Sequence, residues 1–297
     1  MVDKKKVVVF GGCGFLGSHV ADKLLSYGYE VVVFDLLPFR YDASGLTVVE
    51  GDIMDRQQVL RAVEGAHAVY NFAGQADLDT ASTDPIRTTE LNLIGNLNLI
   101  EASLECGVSQ FVYASTIYVF SESGGFYRCS KQAAETYIEE YNRKHGLTYT
   151  ILRYGSLYGP RADARNSIYR YIEQAVNEGR IVINAEGDEI REYIHVRDAA
   201  KVSARILQNE YYNKRFVITG HQALPVQHML AMIQEILGKE VSVEFKPEPG
   251  SDHYRITPYS FVPKVGEKFA PDIFTDMGQG LIECMADMTE RGALNHG

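Results

Sequence analysis

Val7-Val8-Val9-Phe10 runs straight into Gly11-Gly12-Cys13-Gly14-Phe15-Leu16-Gly17, and from Leu16 to Tyr27 the apolar residues recur at helical spacing. A short strand that turns into a helix through three evenly spaced glycines has few uses. Gly11 permits the tight turn, Gly14 lets backbone N–H groups approach a pyrophosphate, and Gly17 lets the helix pack close to the strand. The helix start adds about half a positive charge facing the phosphates. Spacing alone is a weak signal in a chain with 26 Gly. Its place between strand and helix makes Gly11, Gly14, Phe15, Leu16 and Gly17 a dinucleotide cradle rather than an ordinary turn.

The rest of the first half repeats that unit. Apolar runs at 7–10, 29–34, 47–50, 66–72, 110–115 and 149–154 read as strands, and helical patterns at 16–27, 55–64, 84–106 and 128–145 separate them. Consecutive apolar positions suit parallel strands covered on both faces. The expected fold is therefore α/β, a doubly wound parallel sheet of the Rossmann type. After Gly159-Pro160 the rhythm changes to helices at 166–178, 196–207 and 226–237 mixed with short strands at 181–183, 215–218 and 241–245. Four prolines between Lys246 and Lys268 exclude a continuous helix there. Residues 1–158 read as the dinucleotide-binding domain. Residues 159–297 read as a smaller interleaved substrate-binding cap, with some segments returning to the sheet.

Asp35 ends the second strand, where a carboxylate can accept hydrogen bonds from the adenosine ribose hydroxyls. Leu36 and Leu37 follow it, so no cation sits beside it for a 2′-phosphate, although Arg40 could fold back. The expected cofactor is NAD. Asp52-Ile53, after the third strand, either borders the adenine or is a plain turn. Tyr127 and Lys131 stand four apart on one helix face, 11 residues beyond Thr116. Removing an alcohol proton during hydride loss needs a base, and half-ionising a phenol at pH 7 takes roughly 4 kcal/mol of help. A cation ~5 Å away gives about 3 kcal/mol at an effective dielectric of ~20. With 19 Tyr in the chain, chance supplies roughly 0.8 such pairs, so the pair carries weight only through its place after the fifth strand.

Composition excludes other classes. The 29 basic against 39 acidic residues leave a formal charge of −10, wrong for gripping nucleic acid or an anionic membrane. Cys13, Cys106, Cys129 and Cys284 are scattered, without C-x-x-C or His at metal spacing, so no metal is expected. The start is too short in apolar residues for a signal peptide, and no run approaches the ~20 of a membrane span, which points to the cytoplasm.

Taken together these residues resemble the extended short-chain dehydrogenase/reductase family, in its nucleotide-sugar epimerase and dehydratase branch. The likeness covers residues 6–208. Its markers are the glycine loop, Gly51-Asp52-Ile53, Asn71-Phe72-Ala73-Gly74, Asn92, the Tyr127/Lys131 pair, Arg153-Tyr154-Gly155-Ser156-Leu157-Tyr158-Gly159-Pro160 and Arg191-Glu192-Tyr193-Ile194-His195-Val196-Arg197-Asp198. The resemblance implies Tyr127 as general base, Lys131 on the nicotinamide ribose, and Thr116 on the reacting hydroxyl. It places Phe72, Ala73, Gly74 and Tyr154 along the cofactor. It puts Arg191 on the diphosphate of a nucleotide sugar, with a surface ion pair to Glu189 as the alternative, and Ser156, at the place of the family's usual Asn, is expected to bind substrate. Asn166 either reaches that diphosphate or caps a helix. A homodimer through the helices at 84–106 and 128–145 is a family-level expectation.

Departures narrow the reaction. Dehydratases of this branch carry Asp-Glu after the Thr, where Ile117-Tyr118 stand here. Gly155-Ser156 replace the usual Phe-Asn, and the link from Thr116 to Tyr127 is short. The expected activity is 4-epimerisation through a transient 4-keto sugar. Net C4 oxidation with release of the keto product, or a non-catalytic NAD-binding scaffold, are the alternatives. His19 and His195 read as packing residues.

Overall fold

The computed structural model describes residues 4–238, 240–246, 256–258, 267–268 and 274–292. In chain order the first half holds β1 (Lys6–Phe10), α1 (Phe15–Ser26), β2 (Glu30–Asp35), β3 (Leu46–Glu50), α2 (Arg56–Val63) and β4 (Ala68–Asn71). Two short helices follow, α3 (Leu78–Thr83) and α4 (Pro85–Thr89), then a π-helical turn (Glu90–Gly95) leading into α5 (Asn96–Glu105). β5 (Gln110–Thr116), a 3₁₀ turn (Ile117–Phe120), α6 (Gly125–His145) and β6 (Tyr149–Tyr154) complete it. The second half contains β7 (Ser156–Tyr158), α7 (Ser167–Glu178), β8 (Arg180–Ile183), β9 (Ile190–Arg191), β10 (Tyr193–His195) and α8 (Val196–Arg205). It ends with β11 (Lys214–Ile218), β12 (Leu224–Pro225), α9 (Val226–Leu237), β13 (Ser242–Phe245), β14 (Glu267–Lys268) and α10 (Met277–Glu290).

Eight parallel strands form the main sheet in the order β14-β11-β6-β5-β4-β1-β2-β3. The expected doubly wound α/β sheet is present. Val7, Val9, Val31, Val33, Tyr70 and Leu152 face α1 and α8, while Val8, Phe10, Val32, Phe34, Phe111 and Ile151 face α2, α5 and α6. Burial on both faces explains why these strands are apolar at consecutive positions. The order reverses between β1 and β4, so a crevice opens at the carboxyl ends of those strands, the usual ligand site of such sheets. Residues beyond 159 divide between two places. α8 and β11 return to the sheet, and α7, α9, α10, β8 and β13 build a separate core around Ile172, Ile181, Met229 and Leu281.

Two stretches differ from the sequence reading. The helix expected over 84–106 is broken into α4, the π turn and α5, and the helix expected from 128 begins at Gly125. The π turn inserts Asn92 toward the sheet, and a positive φ at both Gly124 and Gly125 lets the chain enter α6 three residues early. Of the proline-bearing stretch between Lys246 and Lys268, Pro247, Pro249 and Pro263 lie outside the described residues. Among the described residues no helix is long and apolar enough to cross a membrane.

Candidate active site

The glycine loop sits at the crevice. A Cβ on Gly11 would collide with the backbone of Phe72-Ala73 after β4, lying 2.6 Å from the Phe72 carbonyl carbon, and one on Gly17 would strike the Gly11 carbonyl. Gly11 also needs its φ of +73°. These two glycines let β1, β4 and α1 converge. Gly14 is different: only the Gly11 carbonyl lies near its missing Cβ, at 3.2 Å, which leaves the loop's outer surface open. Gly14 is the N-cap of α1, with no capping side chain and no acidic residue in the first turn. The first-turn N–H groups of Phe15, Leu16 and Gly17 therefore keep their donors and partial positive charge for an anion, as a dinucleotide diphosphate requires. Asp35 braces the loop, its Oδ2 accepting from Cys13 N at 2.9 Å and its Oδ1 from Leu37 N at 3.1 Å. Asp52 accepts from Met54 N at 2.9 Å, and Ile53 is buried against Gly95 of the π turn. The residues present fit a dinucleotide.

Gly74 has a φ of +143°, and Asn92 fills the space where its side chain would be. Asn92 accepts from Gln75 N at 2.7 Å and donates to Gln75 O and Ser130 Oγ, both at 2.9 Å. One amide thus joins the strand end carrying Phe72, Ala73 and Gly74 to the helix carrying Tyr127 and Lys131. Asn92 was legible only as a family marker. Its position in a π turn, which sequence periodicity does not reveal, gives it this reach.

Thr116 ends β5 directly opposite Tyr154 at the end of β6, and Tyr127 and Lys131 project from the first two turns of α6. The Thr116 hydroxyl hydrogen-bonds the Tyr127 phenol oxygen, so the expected trio converges. Lys131 is buried, with Nζ 2.9 Å from the Ala114 carbonyl, 4.8 Å from the centre of the Tyr113 ring and 5.9 Å from that of Tyr127. In the chain by itself the phenol is not acidified. Burial pushes it up to about 12 against the opposing Thr116 hydrogen bond, and burial pulls the Lys131 ammonium down to about 8 against the attraction of Glu135. Tyr118 stands edge-on to Tyr127, with ring centres 6.3 Å apart, and covers Gly124.

Tyr154 packs against Phe72 and shares a 2.6 Å hydrogen bond with Ser203 on α8. Its hydroxyl is thereby engaged inside the protein. On the substrate side, Ser156 opens β7, which pairs with β10, whose first residue Tyr193 lies two positions after Arg191. Arg191 Nη1 donates to Ile190 O at 3.3 Å, and its charge, like that of Glu189, acts on the buried Tyr171 of α7. Asn166 caps α7: its Oδ1 accepts from Ile168 N and Tyr169 N at 3.1 and 3.3 Å, and its Nδ2 donates to Leu157 O at 2.8 Å. Of the two uses open to Asn166 in the sequence, the cap is the one its hydrogen bonds serve here.

Comparison with known proteins places the chain in a family. Residues 7–219 match the family model described as NAD dependent epimerase/dehydratase family. The solved UDP-glucose 4-epimerase of Thermotoga maritima, with UDP-glucose, superposes with a TM-score of 0.84 at 25% identity, over 96% of this chain and 99% of that one. The UDP-glucose 4-epimerase of Thermus thermophilus, in complex with NAD, gives 0.79 at 27% identity over 97% and 100%. Among curated proteins, the dTDP-D-glucose 4,6-dehydratase of Mus musculus is 27% identical over 286 residues, 86% of this chain and 79% of its own length.

Proposed function

The chain belongs to the NAD dependent epimerase/dehydratase family and is an NAD-dependent enzyme, and within that family we propose that it is a nucleotide-sugar 4-epimerase. One observation carries the choice. Thr116, Tyr127 and Lys131 converge at the carboxyl end of β5, while the two positions after Thr116 hold buried Ile117 and half-buried Tyr118. Eliminating water from the sugar needs an added acid and base; moving one proton and one hydride at C4 needs neither.

Tyr127, as phenolate, takes the proton of the C4 hydroxyl, and Thr116 holds that hydroxyl by a hydrogen bond. Lys131 holds the nicotinamide ribose and supplies positive charge beside the phenol. Bound NAD supplies a reversible hydride acceptor. The C4 ketone then turns within the pocket, and Tyr127 returns the proton when its other face is reduced. Arg191 and Ser156 hold the diphosphate through the turn, a task suited to a guanidinium because its planar fork pairs with phosphate oxygens. The chemistry of the substrate class fits the T. maritima protein, whose structure holds UDP-glucose.

A homodimer accompanies this reading. Ile86 on α4, Ile94 on the π turn and Tyr137 on α6 leave apolar side chains exposed on the helices expected to pair. The test of the function is a panel of nucleotide sugars, followed at once for reduced nicotinamide and for product configuration. A C4 epimer without net NADH supports the proposal. Lasting NADH with a 4-keto product overturns it.

A further inference from the structure

One helical turn beyond Lys131 on α6, Glu135 belongs to a buried pair of opposite charges that the proposed chemistry does not use. Arg153 and Glu135 meet with side-chain exposures of 1% and 5%, Nη2 to Oε2 at 2.6 Å and Nε to Oε1 at 3.0 Å. Ser115 Oγ donates to the same Oε1 at 2.5 Å, and the Arg153 guanidinium lies 4.6 Å from the centre of the Phe120 ring. Arg153 Nη1 is buried without a partner.

We propose that Glu135, held by Arg153 and Ser115, is a positioning residue for Lys131, fixing the ammonium and the three chain segments that meet at the site. The proposal rests on the reading of Tyr127 and Lys131 given above. Tyr127, Lys131 and Glu135 follow one another at four-residue intervals, so all three lie along one face of α6, and helical side chains lean toward the helix start, carrying Glu135 toward Lys131. The three residues of the cluster adjoin the site in sequence as well. Ser115 precedes Thr116, Arg153 precedes Tyr154, and Glu135 follows Lys131 by one turn.

Stability does not account for such a cluster. A buried ion pair loses much of its Coulomb attraction to desolvation, and an apolar pair of similar volume commonly holds a fold as well. Charge at this depth has a different consequence. The groups facing Lys131 are Tyr127 and Glu135 on its own helix, and the Tyr113 ring and Ala114 carbonyl on β5; Arg153 on β6 reaches it through Glu135. Among the described residues Glu135 is the one carboxylate facing it, and it opposes the burial that lowers the proton affinity of Lys131.

The test uses the full chain with bound NAD. Glu135→Gln is the direct variant. Glu135→Leu/Arg153→Met is the second, because it leaves no unpaired buried charge. Titration of the lysine side chains by nuclear magnetic resonance, with the Lys131 signal assigned as the one lost in Lys131→Arg, reads the ammonium independently of turnover. The expected result is a Lys131 midpoint lowered by about one pH unit or more in the double variant, a tenfold change in proton affinity. The alkaline limb of its kcat/KM profile moves down by a similar amount, with folding and NAD content retained. A folded double variant with the wild-type Lys131 midpoint and pH profile overturns the proposal and leaves the pair a strut. Tyr127→Phe run alongside separates the two ideas: if it turns over normally, the reading of the site fails, whatever the Lys131 titration shows.

Discussion

Lys131 Nζ lies 5.9 Å from the centre of the Tyr127 ring and donates its hydrogen bond to the Ala114 carbonyl, not to the phenol. Any pull of the cation on the phenol must therefore run through space, and in the chain alone burial, against the Thr116 hydrogen bond, holds the phenol at about 12. In the proposed reaction Tyr127 acts as phenolate, so activity should rise with pH through the apparent pKa of the loaded site. Tyr127→Phe should lower kcat by at least ~10³-fold while leaving NAD bound, since the phenol oxygen is the one atom removed. Lys131→Met should shift the acidic limb of the kcat/KM profile to higher pH, because the remaining phenol loses a neighbouring positive charge. Steady-state profiles between pH 6 and 10 check both; an unmoved acidic limb in Lys131→Met would remove the electrostatic role of the lysine.

Gly17→Ala tests the cradle. The added methyl would strike the Gly11 carbonyl and lie 2.9 Å from Gly12 Cα, backbone that cannot swing aside as a side chain would. The first turn of α1 must move away from β1, and its N–H groups leave the positions that face the diphosphate. NAD affinity should fall by about two orders of magnitude, or about 3 kcal/mol. Isothermal titration with NAD measures it, and an affinity within threefold of the parent would show that the phosphates sit elsewhere.

His19 and His195 make the fold acid-sensitive. His19 is buried on α1, its Nε2–H donating to the Pro160 carbonyl at 2.9 Å, and burial pushes it down to about 3, with Arg161, Arg197 and His195 adding to the effect. His195 is also pushed down by burial, against the attraction of Glu283 at 3.4 Å. The His19 ring stays neutral in the fold but takes a proton near pH 6.5 once unfolded, and the lowered His195 adds to the effect in the same direction. Below that pH the unfolded chain binds more protons, so stability is full above about 6.5 and falls as the pH drops. The loss approaches about 1.4 kcal/mol per pH unit for His19, and it precedes the carboxylates, which titrate below about 4.5. Urea midpoints at pH 7.5, 6.5 and 5.5 should decline, and His19→Gln should flatten that slope.

The sheet was readable because its physics is local. A strand buried on both faces must be apolar at successive positions, and β1, β2 and β4 are. The glycines of the first loop likewise announce themselves by spacing. What escaped depends on partners distant in sequence or on glycines that obscure a helix. α10 contains Gly278 and Gly280, poor helix formers, yet Gly280 is needed because a Cβ there would press into the Tyr158 ring, 2.6 Å from Cε2. Arg153 did carry a signal, being a lone charge in the otherwise uncharged run of β6, which demands a buried counter-charge. Nothing in the local pattern says that Glu135, eighteen residues earlier, supplies it. α3 has six residues and one buried side chain, too little periodicity to detect.

Arg161 holds a φ of +67°, a left-handed conformation that a non-glycine residue reaches only under constraint. Its ties are identifiable. The guanidinium pairs with Asp22 of α1 at 2.8 Å and covers the Tyr41 ring at 4.2 Å, and its backbone N–H donates to Asp287 of α10 at 3.1 Å. Arg291 ties the next residue down, donating to the Ala162 carbonyl at 2.8 Å. Removing the side chain costs the cation–π contact and a partly exposed ion pair, together about 1–3 kcal/mol. Alanine keeps the backbone strain, about 1–2 kcal/mol, whereas glycine relieves it and gives back less than about 1 kcal/mol in unfolded-chain entropy. Arg161→Ala and Arg161→Gly should therefore both lower the urea midpoint, with alanine the less stable of the two. A glycine variant less stable than the alanine variant would mean that the left-handed turn stores no strain and that the contacts of the side chain alone set the cost.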